Sequence, residues 1–99
     1  MTVIWTREAL EKSHEIEGFI GMNNPEGAEK FVNHLITRGE SILKNPKIGR
    51  IVPEISIPEI RELIVKKYRI VYKVKKEKIE ILTIFESHRL LRIDELIND

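Results

Sequence analysis

Four of the five arginines in residues 50–99 are the candidates for binding phosphate: Arg50, Arg61, Arg69 and Arg89. A planar guanidinium donates two parallel hydrogen bonds to phosphate oxygens and stabilises the negative charge that develops during phosphoryl transfer. These arginines are interleaved with lysines and with both tyrosines of the chain. Such a composition is typical of surfaces that bind nucleic acid or an acidic partner.

The net charge of +1 hides an uneven distribution along the chain. Residues 44–92 contain thirteen Lys and Arg against six Asp and Glu, a balance of +7, whereas residues 1–43 and 93–99 each carry −3. The cations that we predict to contact RNA or a partner are Arg50, Lys66, Lys67, Lys73 and Arg89. The alternative is that these cations only lie on the solvated face of the sheet, because lysines on strands also discourage edge-to-edge aggregation.

The basic segment has the pattern of a β-sheet. Tyr68–Val74 alternates strictly, with both tyrosines on one face and Arg69 on the other, and this period of two predicts a strand packed on one side. Ile60–Lys66 and Ile79–Phe85 are predicted as its antiparallel neighbours because the connections are short. A further strand, interrupted by Pro53, is predicted over Arg50–Ile55.

On this pattern we expect the tyrosine side chains in the core and the side chains of Arg61 and Arg69 on the solvated side of the sheet. Both arginines also have possible cross-strand partners in Glu59, Glu62 and Glu80. Ion pairing is therefore the structural alternative to a functional role for these two arginines.

The first half of the chain predicts a strand and a helical hairpin. Thr2–Trp5 is apolar, Thr6 is a good N-cap, and apolar residues at helical spacing follow over Arg7–Met22. Asn24 and Pro25 then provide the N-cap and first residue of a second helix. A short terminal helix is predicted near residues 90–97. The element order β-α-α-β-β-β-β predicts an α+β domain with the hairpin on a mainly antiparallel sheet.

Composition excludes several classes of protein and site. Ninety-nine residues are expected to form a single domain, residues 1–99. The chain has no cysteine, which excludes disulfides and thiolate metal sites, and we expect no cofactor. His14 and His34 have no second ligand at suitable spacing, so no metal site is predicted. The sequence shows neither a signal peptide nor a long apolar run, which predicts a cytoplasmic protein without membrane contact.

Five stretches resemble, in order and spacing, the RelE/ParE superfamily of bacterial and archaeal toxins, which includes plasmid stabilisation proteins. They are VIWTREALEKSHEIEGFI, NPEGAEKFV, LKNPKIGRIVPEI, IRELIVKKYRIVYKV and IEILTIFESHRLL. The resemblance implies the fold predicted above. It also implies the toxin of a type II toxin–antitoxin module, neutralised by a cognate antitoxin. RelE-like members cut mRNA on the ribosome, whereas ParE-like members bind DNA gyrase and cut nothing.

RNA cleavage needs a base for the 2′-hydroxyl, an acid for the leaving oxygen and cations for the phosphorane. Glu54 matches the position of the carboxylate base in one nuclease branch, and His88 lies near the terminal histidine that resembles its general acid. With Arg61 and Arg69 these residues form the predicted catalytic set: Glu54, Arg61, Arg69 and His88.

We therefore predict a toxin that cleaves mRNA on the ribosome, with a non-catalytic inhibitor of DNA gyrase as the alternative. Two features favour the alternative. Many relatives carry histidine directly after the phenylalanine of the last strand, where this chain has Glu86, and the W-T-x-x-A opening is frequent in the ParE-like branch.

Overall fold

The computed structural model describes residues 1–90. Its elements are β1 (Thr2–Trp5), α1 (Arg7–Gly21), α2 (Pro25–Ser41), a 3-10 turn (Ile42–Lys44), β2 (Arg50–Ile51), β3 (Ile60–Val65), β4 (Tyr68–Val74) and β5 (Lys78–Glu86). The strands form one sheet in the order β1-β5-β4-β3-β2. Only β1 runs parallel to its neighbour β5, and the other pairs are antiparallel. The predicted α+β fold is confirmed.

Local sequence signals explain where the two helices begin. The Thr6 hydroxyl accepts a hydrogen bond from the Ala9 amide at 3.1 Å, and the Asn24 side chain accepts one from Gly27 at 3.0 Å. Each satisfies a backbone donor that the first helical turn leaves without a partner. Both predicted caps are therefore confirmed. The predicted terminal helix falls almost entirely outside the described residues.

The strand predicted over Arg50–Ile55 is wrong beyond its first two residues. Pro53 has no N–H to donate to a sheet ladder, so β2 ends at Ile51. The chain then turns, and the amides of Ile55 and Ser56 donate to the Val52 carbonyl at 3.1 and 2.8 Å. Ser56 has a φ of 57°, a left-handed conformation that also ends extended structure. Glu54 consequently lies in a loop.

Both faces of the sheet are covered, which corrects the expectation of a solvated side. The helices pack on one face, the helix-covered face, whose core includes Leu35, Ile70 and Tyr72. The loop after β2 covers the other, the loop-covered face. Its core comprises Val52, Ile60, Val71 and Phe85, with Ile55, Ile57 and Leu82 packed against them. The alternation of β4 gave no sign of this second core, because the residues that cover it come from a distant loop.

Tyr72 joins the helix-covered core to the loop before β2. Its side chain is fully buried, as predicted, and its hydroxyl accepts a hydrogen bond from the Gly49 amide at 2.9 Å. The same hydroxyl donates to the Pro46 carbonyl at 2.8 Å. Burial raises the pKa of the Tyr72 phenol. Among residues 1–90, none of the helices is long and apolar enough to cross a membrane.

Candidate functional site

The loop-covered face holds a buried ionic network centred on Arg69. Residues Ile64 and Arg69 are register partners, and so are Glu62 and Val71, so Glu62 and Arg69 are diagonal neighbours on one face. Arg69 Nε donates to Glu62 Oε1 at 2.5 Å, and its Nη2 makes an ion-pair contact with the same oxygen without hydrogen-bond geometry. Arg69 Nη1 lies 2.8 Å from Glu54 Oε2.

Arg50 completes the network from the solvent side. Its Nε donates to Glu62 Oε2 at 2.6 Å, so the buried Glu62 carboxylate bridges two guanidinium groups. The Arg50 side chain is 63% exposed, whereas that of Arg69 is 4% exposed. Two arginines and two carboxylates give the network a formal charge of zero. We call these four residues the Arg69 network.

The charges of the Arg69 network neutralise one another, and its central pair, Arg69 and Glu62, is buried. Burial by itself lowers the pKa of the Arg69 guanidinium, but hydrogen bonds to Glu54 and Glu62 raise that pKa above its ordinary value. Arg69 therefore stays protonated at physiological pH. Its Nη1 also donates to the Arg89 carbonyl at 2.8 Å, and its Cζ lies 4.8 Å from the Phe85 ring centroid. Protein groups occupy the surroundings that a phosphate would need.

Glu54 and Arg69 are the only two residues of the predicted catalytic set that the described contacts bring together. The expectation that Arg69 is solvated is wrong, and the alternative that it pairs with Glu62 is confirmed. The sequence pattern indicates Glu62 only as a possible cross-strand partner of the arginines. Glu62 lies two residues from both Ile60 and Ile64, so the three side chains share one face of β3, the face that the loop after β2 covers. This spacing is the feature of the sequence that could have predicted a buried Glu62.

Arg61 lies on the opposite side of the sheet from the Arg69 network. It is the register partner of Tyr72, which belongs to the helix-covered core, and its Nη1 donates to the Gly49 carbonyl at 2.8 Å. Because adjacent residues of a strand point to opposite faces, Arg61 and Glu62 diverge. The predicted pair of arginines on one face is thus not formed.

His88 lies in the turn after β5 and is largely exposed. Its Nδ1 is 3.6 Å from Glu86 Oε2, and its side chain is 75% exposed. The backbone carbonyl of the next residue, Arg89, accepts a hydrogen bond from Arg69. The Arg89 Cζ lies 5.8 Å from the Phe85 ring centroid. His88 therefore lies near the network in sequence while its imidazole faces solvent.

The lysines predicted to bind RNA or a partner fall into two separate groups. Lys66 and Lys67 form the turn between β3 and β4, and Lys66 Nζ lies 5.9 Å from the Phe31 ring centroid. Lys73 lies near the other end of β4. Because each residue of a strand adds about 3.3 Å, the two groups are separated by roughly 20 Å. They do not form one continuous basic patch.

Comparison with known proteins gives a consistent family. The family model described as "ParE toxin of type II toxin-antitoxin system, parDE" matches residues 3–91. Protein Y4kP of Sinorhizobium fredii, whose name describes it as a toxin, is 31% identical over 87 residues, which are 86% of this chain and 86% of that protein.

A solved structure gives the same result at the level of the fold. A chain of the chromosomal ParDE toxin–antitoxin system from P. aeruginosa superposes with a TM-score of 0.75 at 25% identity. The similarity covers 87% of this chain and 95% of the other. The strand, the helical hairpin and the sheet described above, together with these matches, show that the chain belongs to the ParE toxin family of type II toxin–antitoxin systems.

Proposed function

We propose that this toxin arrests growth by binding DNA gyrase, without cutting RNA, and that a cognate antitoxin neutralises it. One observation carries the proposal: Glu54 and Arg69 pair with each other in a neutral buried network, while Arg61 lies on the opposite face of the sheet. A nuclease needs its base and its phosphate-binding cations to converge on one accessible site. An inhibitor that only binds its target needs a surface and no proton transfer. Because gyrase is cytoplasmic, we place the toxin in the cytoplasm.

Ribosome-dependent mRNA cleavage remains the second candidate function, and His88 favours it. The His88 imidazole is 75% exposed and accessible to RNA, and histidine is the side chain that most often serves as a general acid or base in catalysis. On this alternative the RNA would reach His88 from solvent, and the exposed cation Arg50 would contact the RNA backbone.

The experiment that tests the proposal is induction of the toxin and of its variants in cells. We would record growth arrest, map mRNA ends by primer extension, and follow DNA damage with an SOS reporter. The informative variants are His88→Ala and Arg61→Ala, because neither side chain belongs to the buried network. If the toxin inhibits gyrase, both variants still arrest growth, the SOS reporter responds, and messages stay intact.

The opposite pattern would overturn the proposal. Cut messages with the unmodified toxin, together with loss of both cutting and growth arrest in His88→Ala, would establish the nuclease. Inhibition of supercoiling by purified gyrase provides the matching measurement in vitro, with Lys76→Ala as a control at the β4–β5 turn. Both assays require each variant to accumulate as folded protein, which circular dichroism checks.

A further inference from the structure

β1 is an edge strand whose outer side is open. Among residues 1–90 it lies at one end of the sheet and pairs only with β5, in parallel. The Thr6 amide donates to the Ile81 carbonyl of β5 at 3.1 Å. In a parallel pair the backbone groups of successive residues point alternately towards the neighbouring strand and away from it. Those of Ile4 therefore point to β5, and those of Val3 and Trp5 point away from the sheet.

The sequence of β1 does not protect this edge. Edge strands are commonly kept from pairing with another chain by a charged side chain or a proline. Thr2–Trp5 contains neither, and its Ile4 is 43% exposed. At the other end of the sheet, β2 carries the charged Arg50 and is followed closely by Pro53. Of the two edges in the described sheet, β1 is thus the one that fits an added strand.

An apolar stripe on α2 borders the same edge. Ile36, Glu40 and Leu43 follow one another at helical spacing, so they share one side of α2 and of the 3-10 turn that continues it. Trp5 Nε1 donates to Glu40 Oε1 at 3.4 Å, and the 3-10 turn contacts β1. Ile36 and Leu43 are both exposed. The edge therefore presents apolar side chains beside its outward backbone groups.

We propose that β1 is the docking edge for β1 of a second copy of this chain, in a two-fold symmetric dimer whose sheet runs through both copies. A two-fold axis perpendicular to the sheet makes the two edge strands antiparallel, and two-fold dimers are the commonest symmetric assemblies. In the register centred on Ile4, the two Ile4 side chains lie opposite each other. Val3 of each copy then pairs with Trp5 of the other.

This register suits both the backbone and the side chains. The Ile4 groups point to β5, as a central non-hydrogen-bonded position requires, while Val3 and Trp5 exchange both of their backbone hydrogen bonds across the axis. Opposite side chains are closest at a non-hydrogen-bonded position, so the two Ile4 side chains cover each other. Val3 and Trp5 pack against the helix-covered core within each copy. Because β1 has no charged residue, it brings no like charges together across the axis.

Other occupants fit the edge less well. An acidic segment or a nucleic acid finds no cation within Thr2–Trp5 to bind. A strand of an unrelated partner satisfies the backbone groups, but a copy of β1 also places an isoleucine opposite Ile4. The pairing region is short, so we expect a dimer that dissociates on dilution.

Sedimentation of the purified toxin over a dilution series tests the dimer. Ile4→Lys places two ammonium groups opposite each other, and we expect it to weaken the dimer about tenfold or more. Ile51→Lys is the matched control, because Ile51 is 39% exposed and lies on the opposite edge strand. This control should stay within about twofold of the unmodified toxin.

Val3→Pro is a second variant, directed at the backbone. Because the Val3 N–H points away from β5, proline at this position removes a hydrogen bond of the dimer and none between β1 and β5. We expect a loss of affinity comparable to that of Ile4→Lys. Circular dichroism checks that each variant is folded.

A disulfide test fixes the register. Because the chain contains no cysteine, Ile4→Cys supplies a single thiol in each copy. The Cα atoms of a non-hydrogen-bonded pair lie about 4.5 Å apart, a separation that a disulfide can span. We expect mild oxidation to convert Ile4→Cys into a covalent dimer. Thr2→Cys, which in this register lies opposite Thr6 of the second copy, should form no such dimer, and neither should Ile51→Cys.

The outcomes separate a second copy from other occupants. Loss of the dimer in Ile4→Lys and Val3→Pro, with a disulfide from Ile4→Cys alone, would support the inference. A toxin that stays monomeric at every concentration, or a dimer that both variants leave unchanged, would overturn it. A monomeric toxin whose binding to the protein encoded beside its gene is weakened by Ile4→Lys would assign the edge to a strand of that protein, which also overturns the inference. These measurements do not depend on whether gyrase is the target.

Discussion

The Glu62 carboxylate and the Arg69 guanidinium are in direct contact beneath the loop after β2, with side chains that are 0% and 4% exposed. Removing charges of this kind from water costs several kcal/mol per ion, and their mutual attraction offsets this cost only when the geometry is good. Here Arg50 and Glu54 supply the remaining contacts. The pair therefore holds the loop, β3 and β4 together, and breaking it leaves an uncompensated buried charge.

The Glu62→Gln variant should be strongly destabilised. The substitution removes one negative charge from a balanced network, so that Arg50 loses its ion pair and Arg69 keeps Glu54 as its remaining carboxylate partner. We expect the free energy of unfolding to fall by about 3–5 kcal/mol. Urea unfolding followed by fluorescence of the single tryptophan, Trp5, measures the change. The control is Glu80→Gln in the partly exposed pair with Lys75, where about 1 kcal/mol or less is expected. Equal losses in both variants would contradict the role of the network.

The Arg69→Ala and Arg61→Ala variants should differ in stability. Loss of Arg69 leaves the Glu62 and Glu54 carboxylates without their shared cation, for an expected cost of about 3–5 kcal/mol. Loss of Arg61 removes one hydrogen bond to the Gly49 carbonyl, for about 1 kcal/mol. In a domain of this size each kcal/mol lowers the melting temperature by roughly 4–8 °C. Thermal melts of the two variants test the difference, and Arg69→Ala as stable as Arg61→Ala would count against it.

The Tyr72→Phe variant should change the response of stability to alkaline pH. Burial raises the pKa of Tyr72, so above about pH 10 the unfolded chain loses a proton that the folded chain keeps. Stability therefore falls as pH rises through this range, and the phenylalanine variant should lose stability less steeply. At neutral pH the variant should lose about 1–3 kcal/mol, because the Gly49 amide loses its acceptor.

Urea unfolding from pH 7 to pH 11 provides this measurement. Tyr68→Phe is the matched control, because burial also raises the pKa of Tyr68 and a coulombic effect of Glu86 adds to the shift. Tyr68 is only half-buried. We expect little change for this control at neutral pH. Parallel pH profiles for the Tyr72→Phe variant and the unmodified protein would show that the Tyr72 phenol does not contribute.

Alanine at two helical glycines should have effects of opposite sign. A Cβ at Gly39 would lie 2.5 Å from a ring carbon of Trp5, closer than packed atoms tolerate, whereas a Cβ at Gly18 meets nothing within 4 Å. Gly18→Ala should stabilise the protein by about 0.5–1 kcal/mol through helix propensity. Gly39→Ala should destabilise it by about 1–3 kcal/mol through overpacking. Melting temperatures compare the two, and stabilisation by Gly39→Ala would show that Trp5 moves aside freely.

The elements that the sequence predicts correctly are determined by interactions between residues that are close along the chain. Thr6 and Asn24 begin the helices because a side-chain oxygen reaches an amide three residues ahead, which needs no tertiary contact. The bounds of β4 follow from alternation between two turns. Pro53 marked an interruption, but the two-residue length of β2 depended on the turn that Val52 and Ser56 make after it.

The sequence by itself determined the fold class, the family, and the number and types of charged side chains. The first two follow from local periodicity, turn residues and ordered motifs. Only the tertiary structure decided which charges meet. The alternation of side chains along β4 predicts that Arg69 and Tyr72 face opposite sides of the sheet. It does not indicate which part of the chain covers each side. The loop after β2 folds over Arg69 and supplies Glu54, while β3 supplies Glu62, in contacts between residues distant along the chain. Burial and pairing of a charge depend on such contacts, and those arise only when the whole chain has packed.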